Sequence, residues 1–201
     1  MQASPTIVII DSGCANIASV RYAFERLGYE AKATADIERI QSVDRVILPG
    51  VGSAPAAMKQ LNALNLIETI QNLKQPVMGI CLGMQLLFKH SEEFNTDMLG
   101  IIDSDMKKFD DSIDIIPHMG WNSVSQAKPS PLFKNVPDNS HFYFVHSFRA
   151  DVEEYTLGAC DYGSPFSAIV QKDNFYGCQF HPERSGVIGA QVLKNFIEGD
   201  L

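Results

Sequence analysis

Two short segments about a hundred residues apart carry side chains suited to nucleophilic catalysis. Gly79-Ile80-Cys81-Leu82-Gly83 sets a cysteine between two glycines where an apolar run meets a helical pattern, the G-x-C-x-G form of a nucleophile elbow. Such a strand-to-helix turn needs small flanking residues, strains its central backbone and exposes the nucleophile at the carboxyl edge of a sheet. Cys81 is therefore the candidate nucleophile for acyl transfer. The backbone N–H of Leu82 is free to stabilise an oxyanion, and the helix expected beneath the thiol favours the thiolate.

Gln179-Phe180-His181-Pro182-Glu183 supplies the complementary base. His181 can deprotonate Cys81, while Pro182 turns the chain so that Glu183 holds the other imidazole nitrogen. Each segment alone has a plainer reading, a buried core cysteine in one case and a solvated turn in the other. Joined, they predict a Cys-His-Glu triad. A third segment, Leu48-Pro49-Gly50-Val51-Gly52-Ser53, ends a predicted strand with two glycines that allow backbone N–H groups to approach a ligand and complete an oxyanion hole. An ordinary turn, or a weak phosphate loop without the Lys-Ser/Thr of a P-loop, fits its composition as well. Metal ligation by His118, His141, His146 and His181 is disfavoured, because their spacings match no helix-face or finger pattern.

These residues need a sheet edge to meet on. Thr6 to Ile10 is a continuous apolar run, as in a strand buried on both faces of a parallel sheet. Ile17, Val20, Phe24 and Leu27 then recur at helical spacing, with Asn16 as N-cap and Gly28 as stop. The alternation continues with a strand over Arg45 to Leu48, a helix over Ala54 to Leu73, a strand over Pro76 to Ile80 and a helix over Leu82 to Lys89. After Leu99 shorter strands follow: Ser140 to Arg149, Phe166 to Lys172 and Asn174 to Phe180, with a tight turn at Lys172-Asp173-Asn174. An amphipathic helix over Val187 to Ile197 closes the chain. The expected fold is a single α/β domain over residues 1–201, with a mostly parallel central sheet flanked by helices and an antiparallel β extension.

The 201 residues are 45% hydrophobic and 20% charged, ordinary values for a chain with a buried core. A net charge of -8 without any Lys/Arg-rich run disfavours nucleic acid and anionic membrane surfaces. The start has no basic n-region and Ile7 to Ile10 is too short to span a bilayer, so the chain reads as cytoplasmic. Cys14, Cys81, Cys160 and Cys178 contain no CxxC pair, which argues against a disulfide framework and a structural zinc site.

Taken together, P-G-V-G at 49 to 52, G-I-C-L-G-M-Q at 79 to 85 and H-P-E at 181 to 183 resemble the class I, triad-type glutamine amidotransferases, over essentially the whole chain. Asp11-Ser12-Gly13-Cys14-Ala15-Asn16, Pro117-His118-Met119-Gly120-Trp121-Asn122 and Tyr143-Phe144-Val145-His146-Ser147-Phe148 resemble one branch, the glutaminase subunits of imidazole glycerol phosphate synthases. The first segment departs from the Asp-Tyr-Gly form of many relatives at Ser12 and Cys14. The resemblance implies attack of Cys81 on the carboxamide of L-glutamine, a thioester, and release of glutamate and ammonia, with no cofactor. It implies glutamine contacts from Gly50, Val51, Gly52, Leu82, Gln85 and the His146-Ser147-Phe148 segment. It also implies a (β/α)8-barrel cyclase partner that uses the ammonia and stimulates a weak glutaminase through a turn of the Val51 peptide. Asn16, His118, Met119, Trp121, Asn122 and Tyr143 are expected near the docking surface or the ammonia exit, although core packing explains Trp121 and Tyr143 equally well. A glutaminase serving another synthase, a non-catalytic binding protein and a cysteine protease are the rival readings.

Overall fold

Ile7 and Ile9 belong to one apolar cluster and Val8 and Ile10 to another, so β1 (Ile7–Ile10) is buried on both faces, as a central strand must be. The computed structural model describes residues 4–13, 16–110 and 115–201, which leaves Cys14 outside the described residues. After β1 come α1 (Ile17–Arg26), β2 (Ala31–Thr34), α2 (Ile37–Gln41), β3 (Arg45–Gly50), α3 (Ala54–Ala63), α4 (Leu66–Gln71), β4 (Val77–Cys81) and α5 (Leu82–Gln85). Then follow β5 (Phe88–Ser91), β6 (Thr96–Asp97), β7 (Ile102–Lys108), β8 (His118–Gln126), β9 (Ser140–His146) and β10 (Phe148–Ala150). β11 (Thr156–Asp161), β12 (Pro165–Lys172), β13 (Phe175–Cys178) and α6 (Gly186–Glu198) complete the chain.

A nine-stranded sheet runs in the order β2-β1-β3-β4-β13-β12-β11-β8-β9. The pairings from β2 to β13 are parallel and those from β13 to β9 antiparallel, which is the expected parallel centre with its antiparallel extension. Helices α1 and α6 cover one face through Val20, Phe24, Leu193 and Phe196, and α2, α3 and α4 cover the other through Ile40, Leu61 and Ile70. Asn16 caps α1 by accepting the Ser19 N–H, and Gly28 takes the left-handed backbone beyond its end, φ +86°, both as expected. The turn between β12 and β13 passes through Asp173 at φ +52°.

Three expectations fail locally. The single helix over Ala54 to Leu73 is two helices, α3 and α4, broken at Asn65, whose φ of +55° no continuing helix accommodates. The helix over Leu82 to Lys89 stops after one turn. Leu86, Leu87 and Phe88 are all buried, so no polar face exists, and the chain leaves as β5 to build a second, four-stranded sheet ordered β10-β7-β5-β6. The strand over Ser140 to Arg149 is likewise divided at Ser147, because β9 pairs with β8 while β10 pairs with β7 of the second sheet. That switch of sheets brings the 145–148 backbone over the end of β4.

Candidate active site

The nucleophile elbow is built from close contact. Cys81 ends β4 with φ +53° and ψ −112°, a sparsely populated conformation for a non-glycine residue. A Cβ at Gly83 would lie 1.7 Å from the Leu48 carbonyl oxygen, and one at Gly79 2.5 Å from the Gly83 carbonyl oxygen. The two glycines of the motif are therefore required by backbone packed against backbone. Parallel pairing puts Gly50 directly beside Cys81, so the backbone of the Pro49-Gly50-Val51-Gly52 segment flanks the thiol. Gly52 holds φ +96°, Val51 is exposed, and Leu82 follows the nucleophile at the start of α5.

His181 reaches the same edge because β13 pairs in parallel with β4, Cys178 beside Ile80, so both strands release their loops at one end. His181 Nδ1 hydrogen-bonds Glu183 Oε1 at 2.8 Å. Glu183 is buried with its second oxygen, Oε2, unpartnered among the described residues, so the imidazole is the main outlet for its charge. The backbone N–H of His181 donates to the Tyr143 carbonyl at 2.9 Å. Ser185 Oγ donates to the His181 carbonyl at 2.7 Å and accepts the Tyr143 N–H at 3.0 Å, which ties the loop to β9. Burial alone would pull the imidazole down, but the hydrogen bonds and charges of Cys81 and Glu183 outweigh it and raise His181 to about 10. The His181 imidazole is thereby held as an imidazolium beside Cys81. Since α5 is a single turn, this cation, rather than a helix macrodipole, supplies the positive charge.

Cys81 Sγ also lies 3.7 Å from the Val145 carbonyl oxygen and 3.9 Å from Gln179 Nε2. Beside His181 opens a hollow of about 170 Å³ bounded by Asn16, Pro49, Gly50, Val51 and Val145, well below the ~300 Å³ at which sites for drug-sized ligands begin.

Of the other expected residues, Gln85 is buried and its amide nitrogen donates to Gln179 Oε1 at 3.0 Å and to the Phe148 carbonyl at 3.3 Å. His146 is buried with both ring nitrogens engaged, Nδ1 with the Phe148 carbonyl at 2.8 Å and Nε2 with His118 Nδ1 at 3.1 Å. His146 therefore has no ring nitrogen left for a ligand. His118, expected near the docking surface or the ammonia exit, is 3% exposed and stacks on Tyr162 and Phe144, 4.0 and 4.9 Å between ring centroids, which takes it off the surface itself. The period of β8 explains this: His118 points inward while Met119 and Trp121 are exposed. Core packing is thus excluded for Trp121, which meets Tyr143 edge-on, while Asn122 holds the Asp161 carbonyl. Burial pushes His118 down to about 4 and His146 to about 3, so both are neutral. Two participants are not evident from the sequence motifs. Gln179 is fully buried against the thiol, and Ser185 ties down the His181 loop; the signal available for Gln179 was an amide in an otherwise apolar strand. Among the described residues no three His, Cys, Asp or Glu side chains converge as metal ligands.

The profile of the family Glutamine amidotransferase class-I matches residues 8–199. The chain belongs to the class-I glutamine amidotransferases. Among curated relatives of this amidotransferase, "Imidazole glycerol phosphate synthase subunit HisH" of Pasteurella multocida (strain Pm70) is 54% identical over 192 residues, covering 96% of this chain and 97% of the relative. The protein of the same name from Escherichia coli (strain K12) is 52% identical over 193 residues, covering 96% and 98%. Solved structures share this fold at low identity. A putative GMP synthase protein from Thermoplasma acidophilum aligns with a TM-score of 0.73 at 18% identity, over 98% of this chain and 94% of that one. PurLQS from Thermotoga maritima gives 0.72 at 18%, over 96% and 98%.

Proposed function

We propose that the chain, as one amidotransferase domain over residues 1–201, is the glutaminase subunit of an imidazole glycerol phosphate synthase. The observation that carries the reading is the convergence of Cys81, His181 and Glu183 at the β4/β13 edge in a chain more than half identical to proteins bearing that name. The thiolate of Cys81 attacks the side-chain carbonyl carbon of L-glutamine, and the oxyanion that forms is received by the N–H groups of Leu82 and Val51. The His181 imidazolium gives its proton to the amide nitrogen, the C–N bond breaks and ammonia leaves a thioester. His181, now neutral and oriented by Glu183, takes a proton from water, whose oxygen displaces the thiolate and releases glutamate.

The ammonia passes to a cyclase, a (β/α)8 barrel on this reading, that forms imidazole glycerol phosphate in histidine synthesis, and the pair works in the cytoplasm. Exposed Met119, Trp121 and Ile115 support a docking face on the loop and strand leading to β9. Among the described residues no helix is long and apolar enough to cross a membrane. The test is glutamate release from free glutamine by the chain and by Cys81→Ala, with and without the cyclase and a nucleotide ligand. Cys81-dependent release that rises with the cyclase is expected. Release indifferent to the cyclase removes the partner, and no release under any condition removes the glutaminase.

A further inference from the structure

The amide of Gln179 has one orientation, and a chain of hydrogen bonds sets it. The Phe148 carbonyl can only accept, so the atom that Gln85 turns to it is the amide nitrogen, 3.3 Å away. The same nitrogen reaches Gln179 at 3.0 Å and must donate there, which makes the receiving atom Gln179 Oε1. The Gln179 NH2 is thereby left facing Cys81 Sγ, at 3.9 Å. His146 reinforces the anchor: its Nδ1–H donates to the same Phe148 carbonyl at 2.8 Å, its Nε2 accepts from His118 Nδ1–H at 3.1 Å, and His118 Nε2 accepts from Asn122 Nδ2 at 3.4 Å. Gln179 and Gln85 are 0% and 6% exposed, so water does not compete for these groups.

A donor-only contact suits a thiolate and not a thiol. The imidazolium charge approaches the sulfur through His181, whereas the Gln179 NH2 comes from the neighbouring parallel strand, beyond the end of β13. The Val145 carbonyl oxygen, 3.7 Å from Sγ, repels a thiolate, and a buried donor beside it offsets that repulsion. We infer that Gln179 is a positioning residue for the nucleophile, its side-chain amide donating to the Cys81 thiolate in an orientation fixed by Gln85 and the Phe148 carbonyl. This deepens the glutaminase reading and rests on it only for the catalytic consequence.

Alkylation of Cys81 by iodoacetamide, followed against pH in the isolated chain, tests the contact without reference to glutamine. Gln179→Met keeps the length and removes the donor, so the pH of half-maximal alkylation should rise by about one unit, with about a tenfold slower reaction below that midpoint. Gln85→Met releases the orientation of Gln179 and should move the profile the same way by less. In stimulated turnover Gln179→Met should lower kcat about tenfold and leave KM near its original value, since the contact is made to the nucleophile and not to the substrate. A folded Gln179→Met whose alkylation profile matches the original overturns the inference, whatever its turnover. Should that variant fail to fold, Gln179→Leu decides. It carries no donor either, so the midpoint should again rise by about one unit, and an unmoved profile overturns the inference equally. Shifted alkylation in a chain that hydrolyses no glutamine would retain the Gln179 contact and remove the glutaminase.

Discussion

Acid should weaken this protein through two histidines that the triad chemistry does not use. His118 and His146 are 3% and 5% exposed, and each ring is neutral because burial holds it down, to about 4 and about 3 against an ordinary 6.5. The hydrogen-bonded order Asn122, His118, His146, Phe148 carbonyl leaves neither ring room for a second proton. The sign follows from proton counts. Below pH 6.5 the unfolded chain binds protons at both positions and the folded chain does not, so stability is full above 6.5 and falls as the pH drops toward 4. At pH 5 the unfolded midpoint is 1.5 units away, which costs about 2 kcal/mol per histidine and about 4 kcal/mol for the pair, a large part of the 5–15 kcal/mol typical of a domain. Asp44, Asp103 and Asp151, held below their usual range by hydrogen bonds to Thr6, Lys89 and Lys107, titrate below this window. Urea unfolding at pH 7.5 and pH 5.0 measures this loss together with an opposite gain from His181, whose raised value adds stability as the pH falls from about 10 to 6.5, and His118→Gln separates out the His118 share: the variant keeps a donor for His146 but cannot titrate. Its stability at pH 7.5 should be lower by about 1–2 kcal/mol for the missing ring stacks, yet its further loss on going to pH 5.0 should be smaller than the original's by about 2 kcal/mol. Equal pH-dependent losses in the two proteins would refute the neutral, proton-excluding pair.

Gly83→Ala should abolish glutamine hydrolysis and destabilise the fold by about 3 kcal/mol or more, because the new Cβ would meet the Leu48 carbonyl oxygen; urea midpoints and Cys81 alkylation report the two effects separately. Glu183→Gln removes the charge that helps hold His181 near 10, so stimulated kcat should fall about 10²–10⁴-fold with urea stability followed in parallel, and retention of more than a tenth of the activity would contradict the assigned role. Gly52→Ala places a side chain at φ +96° and should cost about 1 kcal/mol or more of local strain, read as loss of cyclase-stimulated turnover with unstimulated turnover less affected. Asn16→Ala should lower thermal stability by about 1 kcal/mol through the lost α1 cap, measured by calorimetry.

Local chemistry was legible in the residues themselves: Asn16 and Gly28 bound α1 as their types require, and the glycines around Cys81 announced an elbow. The ends of α3 and α5 were not, because Asn65 breaks a periodic pattern by adopting a left-handed backbone and because β5 is claimed by pairing with β7, a partner more than ten residues away that no propensity encodes. Trp121 and His118 show the same limit. Their types fit a core or a surface, and only the register of β8 turned Trp121 outward and His118 inward.

From residue types and spacing alone came a nucleophile, a base with its orienter, a two-glycine segment, and a strand-helix alternation that winds into a parallel sheet. Tertiary structure decided which of them meet. Parallel pairing of β3, β4 and β13 releases three loops at one edge, so Gly50, Cys81 and His181, distant along the chain, become neighbours. The change of sheet at Ser147 then lays the 145–148 backbone over the thiol, and surroundings rather than residue type set the histidine protons: on His181 its two partners outweigh burial and raise it, and from His118 and His146 burial excludes them.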